Sequence, residues 1–212
     1  MNQDKNHLTV LDHPVAAHLV TRIRDVNTTT PRFRELVARV GMLLAYEATR
    51  DIPTQTVKVT TPIEETEGFE LQLPVTVVPI LRAGLGLAEG VMQLIPQAVM
   101  GHVGMFRDEK ALTPVSYYEK LPTQIADGPV LLIDPMLATG GSAAAAIDLL
   151  KSRGCTDIRF LCLISAPEGI EKLTESHPDV PIFTAAIDQK LNEIGYIVPG
   201  LGDAGDRLYG TL

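Results

Sequence analysis

Basic residues are scarce in this chain. Lysine and arginine together number 18 against 26 aspartates and glutamates, a formal charge of −8 at pH 7. That deficit argues against a nucleic-acid binder working by bulk electrostatics. It leaves room for a local basic pocket that takes a phosphorylated small molecule. Cysteine is scarcer still, with Cys155 and Cys162 alone. Cys162 lies inside the apolar run Phe160–Ile164, so two reduced, mostly packed thiols are expected rather than a disulfide. The pair offers no metal-ligand spacing, and the five histidines do not cluster. No apolar stretch approaches the roughly 20 residues that span a bilayer. The N-terminus lacks the basic region and apolar core of a secretory signal. A cytoplasmic protein with neither a membrane nor a nucleic acid as partner is expected. There is also no Gly-Lys-Ser/Thr, hence no Walker loop, and no internal repeat or low-complexity tract.

What is present suits an α/β domain. The chain has 212 residues, 45% of them hydrophobic, enough for a sizeable core in one domain over residues 1–212. Thr30 and Pro31 read as a cap and a first helical residue. Phe33, Leu36, Val37, Val40, Leu43, Leu44 and Ala48 follow at helical spacing. Val57–Thr61 and Phe69–Leu71, separated by a polar turn at Glu64–Gly68, suggest a small hairpin arm over about residues 55–72. Strands are expected at Val75–Ile80, Ala98–Val103, Val130–Ile133, Ile158–Ile164 and Val180–Ala185. Helices are expected around Leu85–Met92, Ala143–Lys151 and Gly169–Ser176. This alternation predicts a central, mostly parallel sheet flanked by helices. Gly104–Pro122 is polar with little periodicity and reads as a long functional or mobile segment. The glycine-dense tail from Gly195 reads as neither helix nor strand.

The stretch with most chemistry in it runs from Val130 to Leu150. A buried strand stops on Asp134, then passes through Thr139, Gly140, Gly141 and Ser142 into an alanine-rich helix. In an open parallel sheet, ligands bind beyond the carboxyl ends of the strands. A glycine turn at a helix start offers bare N–H groups and a favourable dipole to a phosphate. The carboxylate would repel that phosphate, so it should face sugar hydroxyls or a bound Mg²⁺. A phosphorylated sugar fits both, although such a turn also occurs with no ligand. Arg82, at the end of another apolar strand and close to Gly84, reads as an anion clamp or as a surface ion pair. Arg107 could close over the same anion or be a solvated loop charge. Gly84, Gly86 and Gly90 approximate a dinucleotide fingerprint, with the third glycine one place late.

The stretches 130–142, 78–90, 104–109 and 195–211 together resemble uracil phosphoribosyltransferases, over nearly the whole chain from about His13. Pro135 stands where related phosphoribosyltransferases usually carry a second acid, and Phe106 where tyrosine is common. The resemblance implies the phosphoribosyltransferase fold with a C-terminal hood over about residues 186–212. It implies transfer of phosphoribosyl from phosphoribosyl pyrophosphate to uracil N1, giving UMP and pyrophosphate. The implied donor site is Arg82, Arg107, Asp134, Pro135, Met136, Leu137, Ala138, Thr139, Gly140, Gly141, Ser142 and Asp203. Within it Asp134, Arg82, Arg107 and Asp203 are the catalytic group. The implied uracil site is Ile197, Gly202, Asp203 and Ala204, with Gly200, Gly202 and Gly205 keeping the approach clear. Mg²⁺ would be held through the donor, with no direct protein ligand. GTP as an activator and a homodimer or larger homo-oligomer also come with the resemblance. Two alternatives remain at this point: a nucleotide-sensing regulator on the same fold, and an NAD-dependent oxidoreductase using the Gly84–Gly90 turn.

Overall fold

The computed structural model describes residues 7–107 and 114–211. Val130, Leu131, Leu132 and Ile133 are each fully buried, as a strand covered on both faces must be. They form β8 (Val130–Ile133), near the middle of the main sheet. In chain order the elements before it are β1 (Leu8–Val10), α1 (Pro14–Arg24), α2 (Thr30–Ala48), β2 (Thr54–Thr60), β3 (Glu65–Leu71), β4 (Thr76–Leu81), α3 (Gly84–Leu94), β5 (Val99–Met100), β6 (His102–Arg107) and β7 (Pro114–Lys120). After it come β9 (Met136–Leu137), α4 (Gly141–Ser152), β10 (Ile158–Ser165), α5 (Pro167–Ser176), β11 (Ile182–Ile187), β12 (Lys190–Leu191), β13 (Ile197–Val198) and α6 (Ala204–Tyr209).

The sheet order is β1-β11-β10-β8-β4-β6-β7, with β5 beside β4 and β9 beside β10. Every pairing in it is parallel except β6 with β7. Successive side chains of a strand point to opposite faces, and this divides the core in two. Leu131 and Ile133 join Phe33, Leu36 and Leu44 of α2 on one face. Val130 and Leu132 join Ile147 and Leu150 of α4 on the other. Apart from β1 at the edge, order along the chain runs outward from β4 in one direction and from β8 in the other, so the switch point falls between these two neighbours. Pro79 pairs with Ile133, which brings Arg82 and Asp134 to adjacent carboxyl ends.

The hairpin arm is present as β2 and β3, paired from Thr54–Leu71 to Thr60–Glu65. Its turn is tighter than expected: Thr61 and Glu64 close it, and the residues from Glu65 already belong to β3. Other expectations need correction. Gly104–Pro122 is not a featureless segment, because β6 and β7 pair antiparallel through most of it. Ser116–Lys120 are exposed on this edge strand, so no buried face stamps an alternating pattern on the sequence. Residues 108–113 lie outside the described residues. Tail residues Ile197–Val198 and Ala204–Tyr209 are a strand and a helix. Both are too short for periodicity to reveal. Thr29, not Thr30, is the cap of α2, and it makes no side-chain capping bond. The expected strand at Ala98–Val103 is interrupted at Gly101. Strand β11 starts and ends two residues later than the expected Val180–Ala185. Helix α1 and strand β1 were not anticipated. Among the described residues no helix is long and apolar enough to cross a membrane.

Candidate active site

Strand β8 delivers Asp134 and β4 delivers Arg82 to one mouth, which the tail closes from above. The resulting cavity of about 310 Å³ is lined by Arg82, Asp134, Ser142, Ile197, Gly202 and Asp203, among others. Met136, Ala138, Ala204 and Gly205 also reach it. Ten residues expected at or beside the site therefore meet in space, although more than half the chain separates the first from the last.

Asp134 is crowded by protein at the floor of this cavity. Burial pushes its carboxyl up to about 7, the Met136 N–H opposes, and the neighbouring Asp203 carboxylate adds to the rise. The Met136 N–H donates to Asp134 Oδ1 at 3.3 Å. Pro135 is buried, and its carbonyl oxygen accepts from the N–H groups of Leu163 and Ile164 at 3.0 and 3.1 Å. Leu137 is 1% exposed, in the core. These two do not line the cavity; they hold the loop to β10 so that Asp134, Met136 and Ala138 can.

The glycine turn behaves as its sequence suggests. Gly140 has φ 75°, in the left-handed region. A Cβ there would lie 3.0 Å from the Gly169 carbonyl oxygen, so a side chain is excluded twice over. No side chain caps α4. The first amides of that helix have no intrahelical partner, and Ser142 opens onto the cavity. Thr139 is exposed and does not line the cavity.

Arg82 has a side chain 57% exposed, with Asp206 at 3.8 Å. The Leu81–Arg82 peptide is cis. Arg107 ends β6, on the strand next to β4, and its side chain lies outside the described residues.

The hood is pinned rather than draped. The side chain of Asp188, 3% exposed, pairs with Arg24 and accepts from the Gly200 N–H at 2.8 Å. Arg24 also donates to the Gly200 carbonyl oxygen at 2.8 Å. Arg207 donates to the carbonyl oxygens of Ile23, Leu201 and Asp25 at 2.6, 2.8 and 2.7 Å, and lies 4.3 Å from the Phe33 ring centroid. Gly200 is thus a buried anchor and does not line the cavity, contrary to its expected part in base approach. Gly202 and Gly205 do line it. Ile197 sits opposite Leu191, with the adjoining bond made from the Asn192 N–H to the Tyr196 carbonyl oxygen at 2.8 Å. In such a position the residue's own N–H and C=O point away from the partner strand. Asp203 caps α6, its Oδ1 accepting from the Asp206 N–H at 2.9 Å. Sequence reasoning missed the anchors Arg24, Asp188 and Arg207, and the lining residues Met105, Ile194 and Tyr196. No local pattern marks any of them.

The three glycines at 84, 86 and 90 are spent on packing. Added Cβ atoms would lie 2.5 Å from the Ile133 carbonyl oxygen, 2.6 Å from Leu208 Cδ2 and 1.7 Å from the Ala38 carbonyl oxygen, respectively. They let α3 meet β8, α6 and α2, and they do not form a dinucleotide turn.

No group of three or more His, Cys, Asp or Glu side chains suited to a metal occurs among the described residues. The cavity nonetheless brings together two carboxylates, Asp134 and Asp203, and the proximity of the second helps to raise the pKa of the first. Such a donor set fits an ion that arrives on a ligand's own oxygens, as Mg²⁺ commonly does with phosphates.

A carboxylate and an arginine thus stand on adjacent strand ends at the switch point, with an uncapped glycine turn following the carboxylate, on a phosphoribosyltransferase fold. A purine phosphoribosyltransferase from Pyrococcus horikoshii superposes with a TM-score of 0.52 at 17% identity, covering 73% of this chain and 84% of that one. The AQ2163 protein of Aquifex aeolicus is far nearer, with a TM-score of 0.90 and 37% identity over 95% of this chain and 97% of that one. The chain belongs to the uracil phosphoribosyltransferase family, whose family model matches residues 10–211. The uracil phosphoribosyltransferase of Acholeplasma laidlawii is 57% identical over 204 residues, 96% of this chain and 98% of that protein. Neither the regulator nor the oxidoreductase alternative finds support in these relationships.

Proposed function

We propose that this chain transfers the phosphoribosyl group from phosphoribosyl pyrophosphate to uracil N1, releasing pyrophosphate and forming UMP. Family membership supports the reaction, and one structural observation supports its location. The ends of β4 and β8, the start of α4 and the hood converge on a single cavity.

In this reading the turn Thr139–Ser142 takes the 5-phosphate through helix-start amides and hydroxyls. Asp134 faces the ribose hydroxyls, and Met136 and Ala138 continue that wall while Pro135 and Leu137 brace it. Arg82 and Arg107 hold the pyrophosphate. Backbone groups at Ile197, Gly202 and Ala204 read the edge of uracil, and Asp203 lies between base and donor. Loss of the pyrophosphate leaves positive charge on the ribose, which the Asp134 carboxylate stabilises, and negative charge on the leaving group, which the arginines stabilise. Uracil N1 forms the new bond to the ribose C1 as the bond to pyrophosphate breaks with its electron pair, and the N1 proton passes to solvent. No protein nucleophile is needed. Mg²⁺ would be held through the donor, with no direct protein ligand, and would supply neutralising charge.

The whole chain from 1 to 212 works as one catalytic unit, with the arm at about 55–72 and the hood at about 186–212. A homodimer or larger assembly rests on the family resemblance. Activation by GTP rests on the family resemblance alone. A cytoplasmic setting agrees with two free, buried cysteines.

The direct test is incubation with uracil, phosphoribosyl pyrophosphate and Mg²⁺ followed by detection of UMP. Cytosine reverses two of the three edge positions of uracil, and is expected to react at least ~10²-fold less efficiently in kcat/KM. Absence of UMP would overturn the function, and comparable rates for the two bases would overturn the assignment of the base site.

A further inference from the structure

Helix α6 touches both halves of the cavity. Its first residues, Ala204 and Gly205, line the base side. Its last turn reaches the donor side. The Tyr209 hydroxyl donates to the Arg82 carbonyl oxygen at 3.0 Å. The Arg82 guanidinium lies 5.5 Å from the Tyr209 ring centroid, within the range of a cation–π contact. Asp206 Oδ1 stands 3.8 Å from Arg82 Nη2, and that carboxylate oxygen is itself bonded by the Thr211 hydroxyl at 2.6 Å. Burial raises the Tyr209 phenol above its ordinary value, with Arg82 and Arg34 opposing. The hydroxyl therefore keeps its proton and its donor role at neutral pH.

An arginine with so much of its side chain in water samples many rotamers when nothing holds it, and ordering it on binding costs entropy. Here three contacts of different kinds, to the peptide, the guanidinium face and its edge, come from one short helix. That helix is itself fixed. Leu208 fills the space above Gly86, Asp203 caps its start and Arg207 ties it to α1.

We propose that Tyr209 and Asp206 are positioning residues for the donor site, holding Arg82 in place and tying the arginine to the base-reading turn through α6. This deepens the function stated above and rests on it. Neither residue touches the reacting atoms; they act through Arg82.

The test compares wild type, Tyr209→Phe, Arg82→Ala and the double variant. Initial rates with uracil and Mg²⁺ give KM and kcat, and calorimetry with phosphoribosyl pyrophosphate and Mg²⁺ gives donor Kd even where turnover is slow. Tyr209→Phe keeps the ring and removes only the hydroxyl. It is expected to weaken donor binding about fivefold, the scale of one ordinary hydrogen bond, with kcat, uracil KM and Tm little changed. In the Arg82→Ala background the same substitution should have no further effect on donor Kd. An unchanged donor Kd overturns the inference, as does an equal effect in both backgrounds or a joint loss of all parameters with a lowered Tm. Wild type that forms no UMP would instead overturn the function itself, so the two failures are distinct.

Discussion

Asp134 carries a conflict that can be measured. Its carboxyl is pushed up to about 7, chiefly by burial, while the role proposed for it calls for the charged form. Since kcat/KM reports the free enzyme, kcat/KM for the donor is expected to rise with pH through about 7 and level off above. Stability should move the other way. An unfolded Asp titrates near 4, so between roughly pH 4 and 7 the folded chain holds more protons at this residue than the unfolded chain does. The contribution of Asp134 to stability therefore falls as pH rises across that window. Asp134→Asn has no charge to bury. It should lose ~10²-fold or more in kcat, yet melt higher than wild type at pH 8, with the gap closing towards pH 4. Parallel melting curves across that range would show that Asp134 is not strained by burial. Near wild-type turnover would show that its charge is not used.

At the scale of elements, the hood depends on side chains far from it in sequence. Asp188 binds Arg24 of α1 and the Gly200 N–H at once. Asp188→Ala leaves a partly buried guanidinium and a backbone donor without their acceptor, at an expected cost of about 2–4 kcal/mol. Because Gly200 adjoins the residues proposed to read the base, uracil KM should rise more than donor KM. Urea unfolding and the two KM values check this, and an unchanged uracil KM would mean the anchor does not shape the base pocket. Arg159 on β10 plays a comparable part elsewhere. It bonds the Ala48 carbonyl oxygen at the end of α2 and the carboxylates of Asp51 and Asp157, with only 9% of its side chain exposed. Asp51 and Asp157 remain largely in water, so breaking the pairs strands only the carbonyl. Arg159→Met is expected to cost about 1–3 kcal/mol in the same unfolding experiment and to leave both KM values alone. A loss of activity without a loss of stability would contradict this purely structural role.

Across the whole molecule, the proposed donor site draws on β4, β8, α4 and the hood together, so a bound donor should stabilise the global fold. At about 100 times Kd, the gain is about 2.7 kcal/mol. For a chain of this size that is roughly 5–10 °C in Tm. If Mg²⁺ travels with the donor, a chelator should remove most of the rise. A rise that ignores the chelator would separate the ion from donor binding.

The strands Val130–Ile133 and Thr76–Leu81, the helix carrying Phe33 to Ala48, and the turn from Asp134 into α4 were all legible in the sequence, because each obeys a local rule. A strand buried on both faces needs an unbroken apolar run. A helix against a sheet needs its apolar residues at a helical spacing. A left-handed turn under a neighbouring backbone needs glycine. The edge strand β7 and the short α6 obey no such rule, since one has no buried face and the other has too few turns to show a period. Partnership was beyond the sequence altogether. Gly84, Gly86 and Gly90 look like a nucleotide loop until the backbones and side chains they admit are seen. Arg24 and Asp188, 164 residues apart, have nothing in their neighbours to pair them. Which groups were chemically suited to phosphate and ribose followed from residue type and local order, whereas the groups proposed for uracil came only with the family resemblance. That they face one cavity was decided by the parallel sheet, whose crossovers bring strand ends together regardless of their distance along the chain.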